Sequence, residues 1–414
     1  MVRFLTAGES HGQALVAVLE GLPAGLVVDL DAVQSELRRR QGGYGRGRRM
    51  AIEDDRAEAL SGIRLGRTTG APVALLVRNK DWANWQHTMS VQPEPASDAT
   101  GARRAPVTRP RPGHADLAGA IKYGHHDLRD VLERASARET AARVAAGSVA
   151  RQLLRRFDIE VASHVVAIGS VAVADWTCVS FDRLRAIAPD SPLRCVDPDA
   201  ETRMIEEIDR ARASGDTVGG AFEVIAEGVP AGLGSYVQWD RKLDGRLAQA
   251  IMSIPAIKAV GIGTSVRVAS LPGSLVHDEI LADSRPSTRG LPGIARPTNR
   301  AGGLEGGVTN GEAVRLTGYM KPIATLMKPL ASVDLETMAD APAAIERSDV
   351  CAVPAAAVVA EAMVCLVLAD AFTEKFGGDS IDDIERSYGA WKAELRRRLE
   401  PAGSAPPAGS SDHP

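Results

Sequence analysis

Apolar positions recur along the chain with two periods, and stretches of each period alternate. Residues 16–19 and 71–77 are apolar runs of strand length, the second preceded by the turn-like pair Thr69-Gly70. Residues 31–41 predict a helix that opens on an N-capping aspartate and closes on a basic turn, as the helix dipole favours. An Ala-rich helix is expected over 140–157, followed by a strand over 161–173, and a charged amphipathic helix over 199–213. Ser214-Gly215-Asp216 then turns into a strand at 222–226, a helix follows at 243–254, and a strand at 260–271. The Gly-rich segment 301–311 leads into a strand at 313–319. Residues 352–369 are apolar on almost every face and nearly long enough to span a bilayer. Pro354 near the start, Glu361 in the middle and many small residues instead predict a helix buried between other layers. From Lys80 to Pro110 the periodicity breaks into Trp, Pro, Asp and Arg, which predicts a lid or binding loop rather than a linker. The last fourteen residues, from Pro401, are mostly Pro, Ala, Gly and Ser and predict a disordered tail. One domain over 1–400 is expected.

Composition narrows the function classes. Hydrophobic residues make up 44% of 414, enough for one large core or two smaller ones, and only 4% are aromatic, so the core is aliphatic. The formal net charge is −4, which gives no global reason for a nucleic-acid or membrane partner; any basic site must be local. Cys178, Cys195, Cys351 and Cys365 are scattered without a C-x-x-C pair, which reads as free thiols in a reducing compartment. The N-terminus has no basic region followed by an apolar stretch, so the sequence points to a soluble cytoplasmic protein. No His/Cys/Glu group has metal-ligand spacing.

The candidate chemistry lies in six segments. Gly8-Glu9-Ser10-His11-Gly12 presents a histidine between glycines, suited either to proton transfer near neutral pH or simply to a surface turn. Six arginines fall within the twelve positions 38–49, interleaved with glycines. They suit a compact, multiply charged anion better than a polynucleotide, because Glu53-Asp54-Asp55 follows at once. Arg109-Pro110-Arg111-Pro112-Gly113-His114-Ala115-Asp116 is a stiff loop with two arginines and a second histidine. Arg134-Ala135-Ser136-Ala137-Arg138-Glu139-Thr140 opens a helix: its small residues admit a ring or phosphate, while Ser136 and Glu139 also match a capping box. Asn299 to Gly307 and Lys321 to Thr325 flank a strand and match neither a P-loop nor a dinucleotide fingerprint, yet offer backbone donors and a cation. Arg347-Ser348-Asp349 precedes the buried helix much as Arg134-Ala135-Ser136 precedes the earlier one. Two readings stand for that correspondence: related halves meeting at one site, or the openings common at helix N-termini.

Taken in order from Phe4 to about Phe376, these segments resemble the chorismate synthase family. Three carry its signatures: the stretch from Gly8, Arg134 to Gly147, and Arg347 to Glu361; Thr298 to Gly307 is also close to the family form. The resemblance implies an α+β fold with helices sandwiched between two antiparallel β-sheets, assembled as a homotetramer. It implies the anti 1,4-elimination of phosphate and the C6 proton from 5-enolpyruvylshikimate 3-phosphate, giving chorismate, the last step of the shikimate pathway to aromatic amino acids. There is no net redox change, yet reduced FMN is required. NADPH is the source of reducing equivalents in some members, so FMN, NADP and FAD are the associated cofactors. No additional reductase domain is visible, which points to an external reductant. By match to the family, Ser10, Arg40, Arg46, Arg49, Arg111, Arg138 and Arg347 would hold the substrate, with Arg48 competing with Arg49 for one role. Arg40, Arg46, Ala135, Ser136, Ala137, Pro255, Ala256, Gly306, Lys321, Pro322, Ile323, Ala324, Thr325 and Arg347 would line the cofactor. Pro255 stands where the family usually carries a polar residue. His11 and His114 would be proton donors, one toward the leaving phosphate and one toward flavin N1, and Asp349 would assist flavin N5 in taking the C6 proton.

Two other classes fit parts of the sequence. A nucleic-acid-binding protein using 38–49 would bind with steep salt dependence and no need of flavin. A hydrolase built on Ser10 and His11 lacks the G-x-S-x-G elbow, and adjacent residues rarely present a nucleophile to its base. Both leave the Arg134 and Arg347 segments unexplained.

Overall fold

Alternating apolar positions in the first eighty residues build a four-stranded antiparallel sheet. Across it the strands run Arg3–Ala7, Ala14–Glu20, Val73–Arg78 and Ala57–Ser61. Leu15, Ala17, Leu19, Val73, Leu75 and Val77 lie on the buried face, as the two-residue period of a strand requires. The molecule is a computed structural model that describes residues 1–47, 54–93, 105–188, 190–283, 290–346 and 348–399. A second antiparallel sheet has five strands, in the order Ile257–Ile262, Val314–Met320, Gly220–Glu227, Glu160–Ile168 and Val171–Ala172.

Two long helices join the sheets. Thr140–Arg155 lies against Ala14–Glu20 and Val73–Arg78, Val353–Phe376 lies against Glu160–Ile168 and Gly220–Glu227, and the two helices pack on each other. Their contact is close because it is built from small side chains. A Cβ on Gly147 would stand 2.5 Å from the Cβ of Ala362 and 2.6 Å from its carbonyl oxygen. The Leu30–Gln41 helix packs on both. Val353–Phe376 is long and apolar enough to cross a membrane, but 89% of its most apolar window is buried inside the chain.

Glu361, in the middle of that helix, is fully buried and completely bonded. It accepts from Arg39 Nη1 and Nη2 at 2.9 and 2.8 Å, from Ser163 Oγ at 2.5 Å, and from Arg151 Nη2. Burial opposes its ionised form, but Arg39 and Arg151 outweigh that and hold the carboxyl well below the usual carboxylate range. The cluster ties the end of the Leu30–Gln41 helix, which carries Arg40, to the centre of the fold.

Most predicted elements appear near their expected bounds, and four differ for local reasons. The cap of the first helix is Asp29, which accepts from the amides of Asp31 and Ala32. The expected strand at 161–173 turns at Gly169 (φ +53°) and continues only as Val171–Ala172. The strand expected over 260–271 spans Ile257–Ile262 and stops at Gly263, whose φ is +56° and whose Cβ would meet Arg300 O at 2.0 Å. The chain then winds through the short helical turn Ser265–Ser270, leaving Val266, Val268 and Leu271 exposed. At Ser136 the capping box does not close: Ser136 accepts from Arg138 N, but Glu139 accepts from Thr6 Oγ1 and Arg143 Nε instead. Part of the 80–110 segment and the tail from 401 lie outside the described residues.

Candidate active site

Loops from the whole length of the chain meet at one cavity of about 430 Å³. The first comes from the connection between Arg3–Ala7 and Ala14–Glu20. Gly8 has φ +103°, and a Cβ there would lie 2.3 Å from Ala14 O, so the turn is open only to glycine. It delivers Ser10 and His11 to the end of the short helix Arg129–Leu132. There Ser10 N donates to Glu133 O at 3.0 Å and His11 N to Glu133 Oε2 at 2.8 Å. Ser136 Oγ lies 3.2 Å from Ser10 Oγ.

The 111–116 loop sets the second histidine. His114 Nδ1 is 2.5 Å from Asp116 Oδ1, while Arg111 Nε donates to Asp116 Oδ2 at 2.8 Å and its Nη1 to Thr325 Oγ1 at 3.1 Å. Burial opposes ionisation of Asp116, but the bonds from His114 and Arg111 overcome it and hold the carboxyl below the ordinary carboxylate range. Lys321 Nζ donates to Gly113 O, joining this loop to the strand end that carries Ile323, Ala324 and Thr325.

The arginines are held by carboxylates rather than gathered as a bare cationic patch. Arg40 donates to Ala137 O and Thr140 Oγ1, both at 2.9 Å, and approaches Asp55 at 3.6 Å. Arg138 pairs with the same Asp55 at 2.5 Å. Arg46 pairs with Asp349 at 2.8 Å, and the other Asp349 oxygen accepts from Gly47 N at 2.7 Å. Each carboxylate fixes its guanidinium, so the cations are oriented before any ligand arrives. The floor between them is small and mostly apolar: Ala135, Ser136 and Ala137 on one side, Pro255, Ala256 and Ala324 on the other. Ala256 holds φ +67°, and its carbonyl accepts from Lys321 N at 3.0 Å.

Of the residues singled out from sequence, Ser10, His11, Arg40, Arg46, Arg111, His114, Ala135, Ser136, Ala137, Arg138, Pro255, Ala256, Lys321, Ile323, Ala324, Thr325 and Asp349 line this cavity. Pro322 does not, although its neighbours do. Gly306 also lies apart, in the turn between Leu304–Glu305 and Val308–Thr309, where φ +62° suits the hairpin. Arg48, Arg49 and Arg347 lie outside the described residues. Sequence reasoning missed Glu133, Glu346, Ser348 and Met320 in the lining, and the supporting Asp55. Only Asp116 had a signal, two positions after His114 in a stiff loop; an acid at an anion pocket otherwise has no local signature.

Comparison with known proteins identifies the family. The chorismate synthase family model matches residues 2–373. The chain is 58% identical to the chorismate synthase of Moorella thermoacetica over 399 residues, 96% of this chain and all of the relative. It is 56% identical to that of Symbiobacterium thermophilum over 397 residues, again 96% of this chain and the whole of the relative. A crystal structure of chorismate synthase superposes with a TM-score of 0.75 at 40% identity, covering 96% of this chain and 98% of the other. With sequence and fold in agreement over nearly its full length, the chain belongs to the chorismate synthase family.

Proposed function

We propose that the cavity binds 5-enolpyruvylshikimate 3-phosphate beside reduced FMN and carries out the family's 1,4-elimination there. The observation that carries this reading is the convergence of Arg40, Arg46, Arg111, Arg138 and Lys321 on one concave site with a small, flat floor. The substrate brings two carboxylates and a phosphate, and the cofactor another phosphate; only several oriented cations offset the cost of desolvating so much negative charge. Ala135, Ser136, Ala137, Ala256 and Ala324 leave room for a ring system, and Lys321 and Thr325 offer a cation and a hydroxyl, so these residues fit FMN. Bound reduced FMN supplies an electron-rich ring beside the substrate in a reaction without net redox change.

The chain's own residues orient the substrate and move protons. Arg40, Arg46, Arg111 and Arg138, with Ser10, hold the anionic groups, joined by Arg49 (or Arg48) and Arg347. His11, held by Glu133, and His114, held by Asp116, are the two proton donors, one toward the departing phosphate and one toward the flavin. Asp349, anchored by Arg46 and Gly47 N, lies at the cavity wall as the acceptor that assists removal of the C6 proton. The described start of the segment expected as a lid places Trp85 on the His11 ring.

The helices form an inner layer between the two sheets, a reading supported by which strands each long helix contacts. The assembly is a homotetramer of cytoplasmic, soluble chains. In support, the outer face of the first sheet presents Leu5, Val16, Val18, Ala74 and Leu76 between the rim ion pairs Arg3–Glu20 and Arg78–Glu58, a surface suited to a second copy. An external reductant supplies the flavin electrons, so anaerobic incubation with NADPH and oxidised FMN alone is expected to leave the flavin oxidised, and its reduction would refute this. The test of function is the purified protein with dithionite-reduced FMN and substrate in air-free buffer, followed by chorismate absorbance and phosphate release. Both products are expected in equal amounts, and no product refutes the assignment.

A further inference from the structure

We infer that Glu133 is a positioning residue for His11, and that Glu133 and Trp85 together fix the imidazole with Nε2 toward the cavity. The inference rests on the reading of His11 as a proton donor at this site. His11 Nδ1 lies 2.8 Å from both Glu133 oxygens, and the same carboxylate accepts from His11 N at 2.8 Å. Glu133 is 1% exposed, so this contact is shielded from water. With Nδ1 engaged by a carboxylate, only Nε2 remains to serve a ligand in the cavity that His11 lines.

The opposite constraint comes from a ring. Trp85 stacks on His11 with centroids 3.8 Å apart and planes inclined by 23°. The segment bearing Trp85 is tied to the same turn, because Asn79 Nδ2 donates to Gly12 O at 2.9 Å and Asn79 N to Gln13 O at 3.1 Å. Arg129 completes the frame, 3.9 Å from Glu133 Oε1 and 5.7 Å from the Trp85 ring centroid. An imidazole held by a carboxylate at Nδ1 and by a stacked ring keeps one orientation, so that a proton taken up on Nε2 faces the cavity, which is what a proton donor at Nε2 requires. His114 Nδ1 also meets a carboxylate, 2.5 Å from Asp116 Oδ1, but Arg111 Nη2 lies 3.0 Å from the same nitrogen, so its tautomer is not set in the way Glu133 sets that of His11.

The test combines a double-mutant cycle with a spectroscopic readout. Glu133→Gln keeps shape and one acceptor but loses the charge. It is expected to lower kcat about 10–100-fold with KM for substrate within about twofold. In the His11→Ala background the same change is expected to have no further effect, because Glu133 acts through His11. Wild-type kcat in Glu133→Gln, or additive losses in the double variant, overturns the inference and leaves Glu133 a clamp on the turn. Solid-state ¹⁵N NMR of histidine-labelled wild-type protein, with His11 assigned by its loss in His11→Ala, checks the geometry without turnover. The neutral ring is expected to carry its proton on Nδ1, and a proton on Nε2 overturns the inference. Unimpaired turnover in His11→Ala refutes the donor role on which the inference rests, an outcome distinct from Glu133→Gln alone being active.

Discussion

Replacing Glu361 by Gln perturbs a charge cluster centred on a fully buried carboxylate while keeping its shape. In the native chain the carboxylate accepts from Arg39 and Arg151 on two neighbouring helices and from Ser163 on the strand Glu160–Ile168. Gln offers one acceptor and turns an amide N–H toward donors, so at least one guanidinium loses its partner in a dry environment. Removing one member of a buried pair costs about 3–5 kcal/mol. Glu36 remains beside both cations, with its carboxylate 3.8 Å from Arg151, which puts the expected loss at the low end, about 3 kcal/mol. The pH dependence has a definite sign. The Glu361 carboxyl is held below its unfolded value, so its contribution is fully present above about pH 4.3 and is lost as pH falls toward the folded value. The gap between wild type and variant should therefore be constant from neutral pH down to about 4.3. It should then narrow by about 1.4 kcal/mol for each further unit. Urea denaturation of both proteins at pH 7 and at pH 3 measures it. A variant within about 1 kcal/mol of wild type at pH 7, or a gap unchanged at pH 3, refutes the reasoning.

The remaining predictions are briefer. Gly147→Ala places a methyl 2.5 Å from Ala362 and must part the two central helices, so it is expected to cost about 1–3 kcal/mol in the same denaturation assay. Burial pushes the thiols of Cys195, Cys351 and Cys365 up to about 11, whereas Cys178 is exposed; a disulfide-exchange reagent should titrate one thiol in the folded chain and four in denaturant. His11→Ala and His114→Ala should each cut turnover about 10²-fold or more while substrate still binds, and near wild-type rates would make them bystanders.

Much of this was legible because it is local. The Ala- and Val-rich runs around Gly147 and Glu361 announce helices that pack closely, and the arginines announce an anion site by residue type. What escaped depends on contacts distant in sequence. Glu133 and His11 are 122 positions apart, and Asp55 and Arg138 are 83 apart; nothing near either acid marks it as a partner. The end of the Ile257–Ile262 strand was hidden because Val266, Val268 and Leu271 continue an apolar pattern after Gly263 has already turned the chain. Trp85 sat in a segment legible only as a binding loop, and the ring it covers becomes apparent only once Asn79 ties that segment to Gly12. The arginines were legible as an anion site by residue type, but that Asp55, Asp116 and Asp349 hold them in place was not.

The central claim is that one cavity, assembled from the whole chain, holds both substrate and flavin. A crystal structure of the protein with oxidised FMN and 5-enolpyruvylshikimate 3-phosphate tests it most directly. The isoalloxazine is expected against Ala135–Ala137 and Ala256, the substrate's anionic groups on Arg40, Arg46, Arg111 and Arg138, and His11 Nε2 within hydrogen-bond reach of a bound ligand. Ligands bound elsewhere, for example at the second cavity beside Arg67, Arg155 and Arg156, would contradict it.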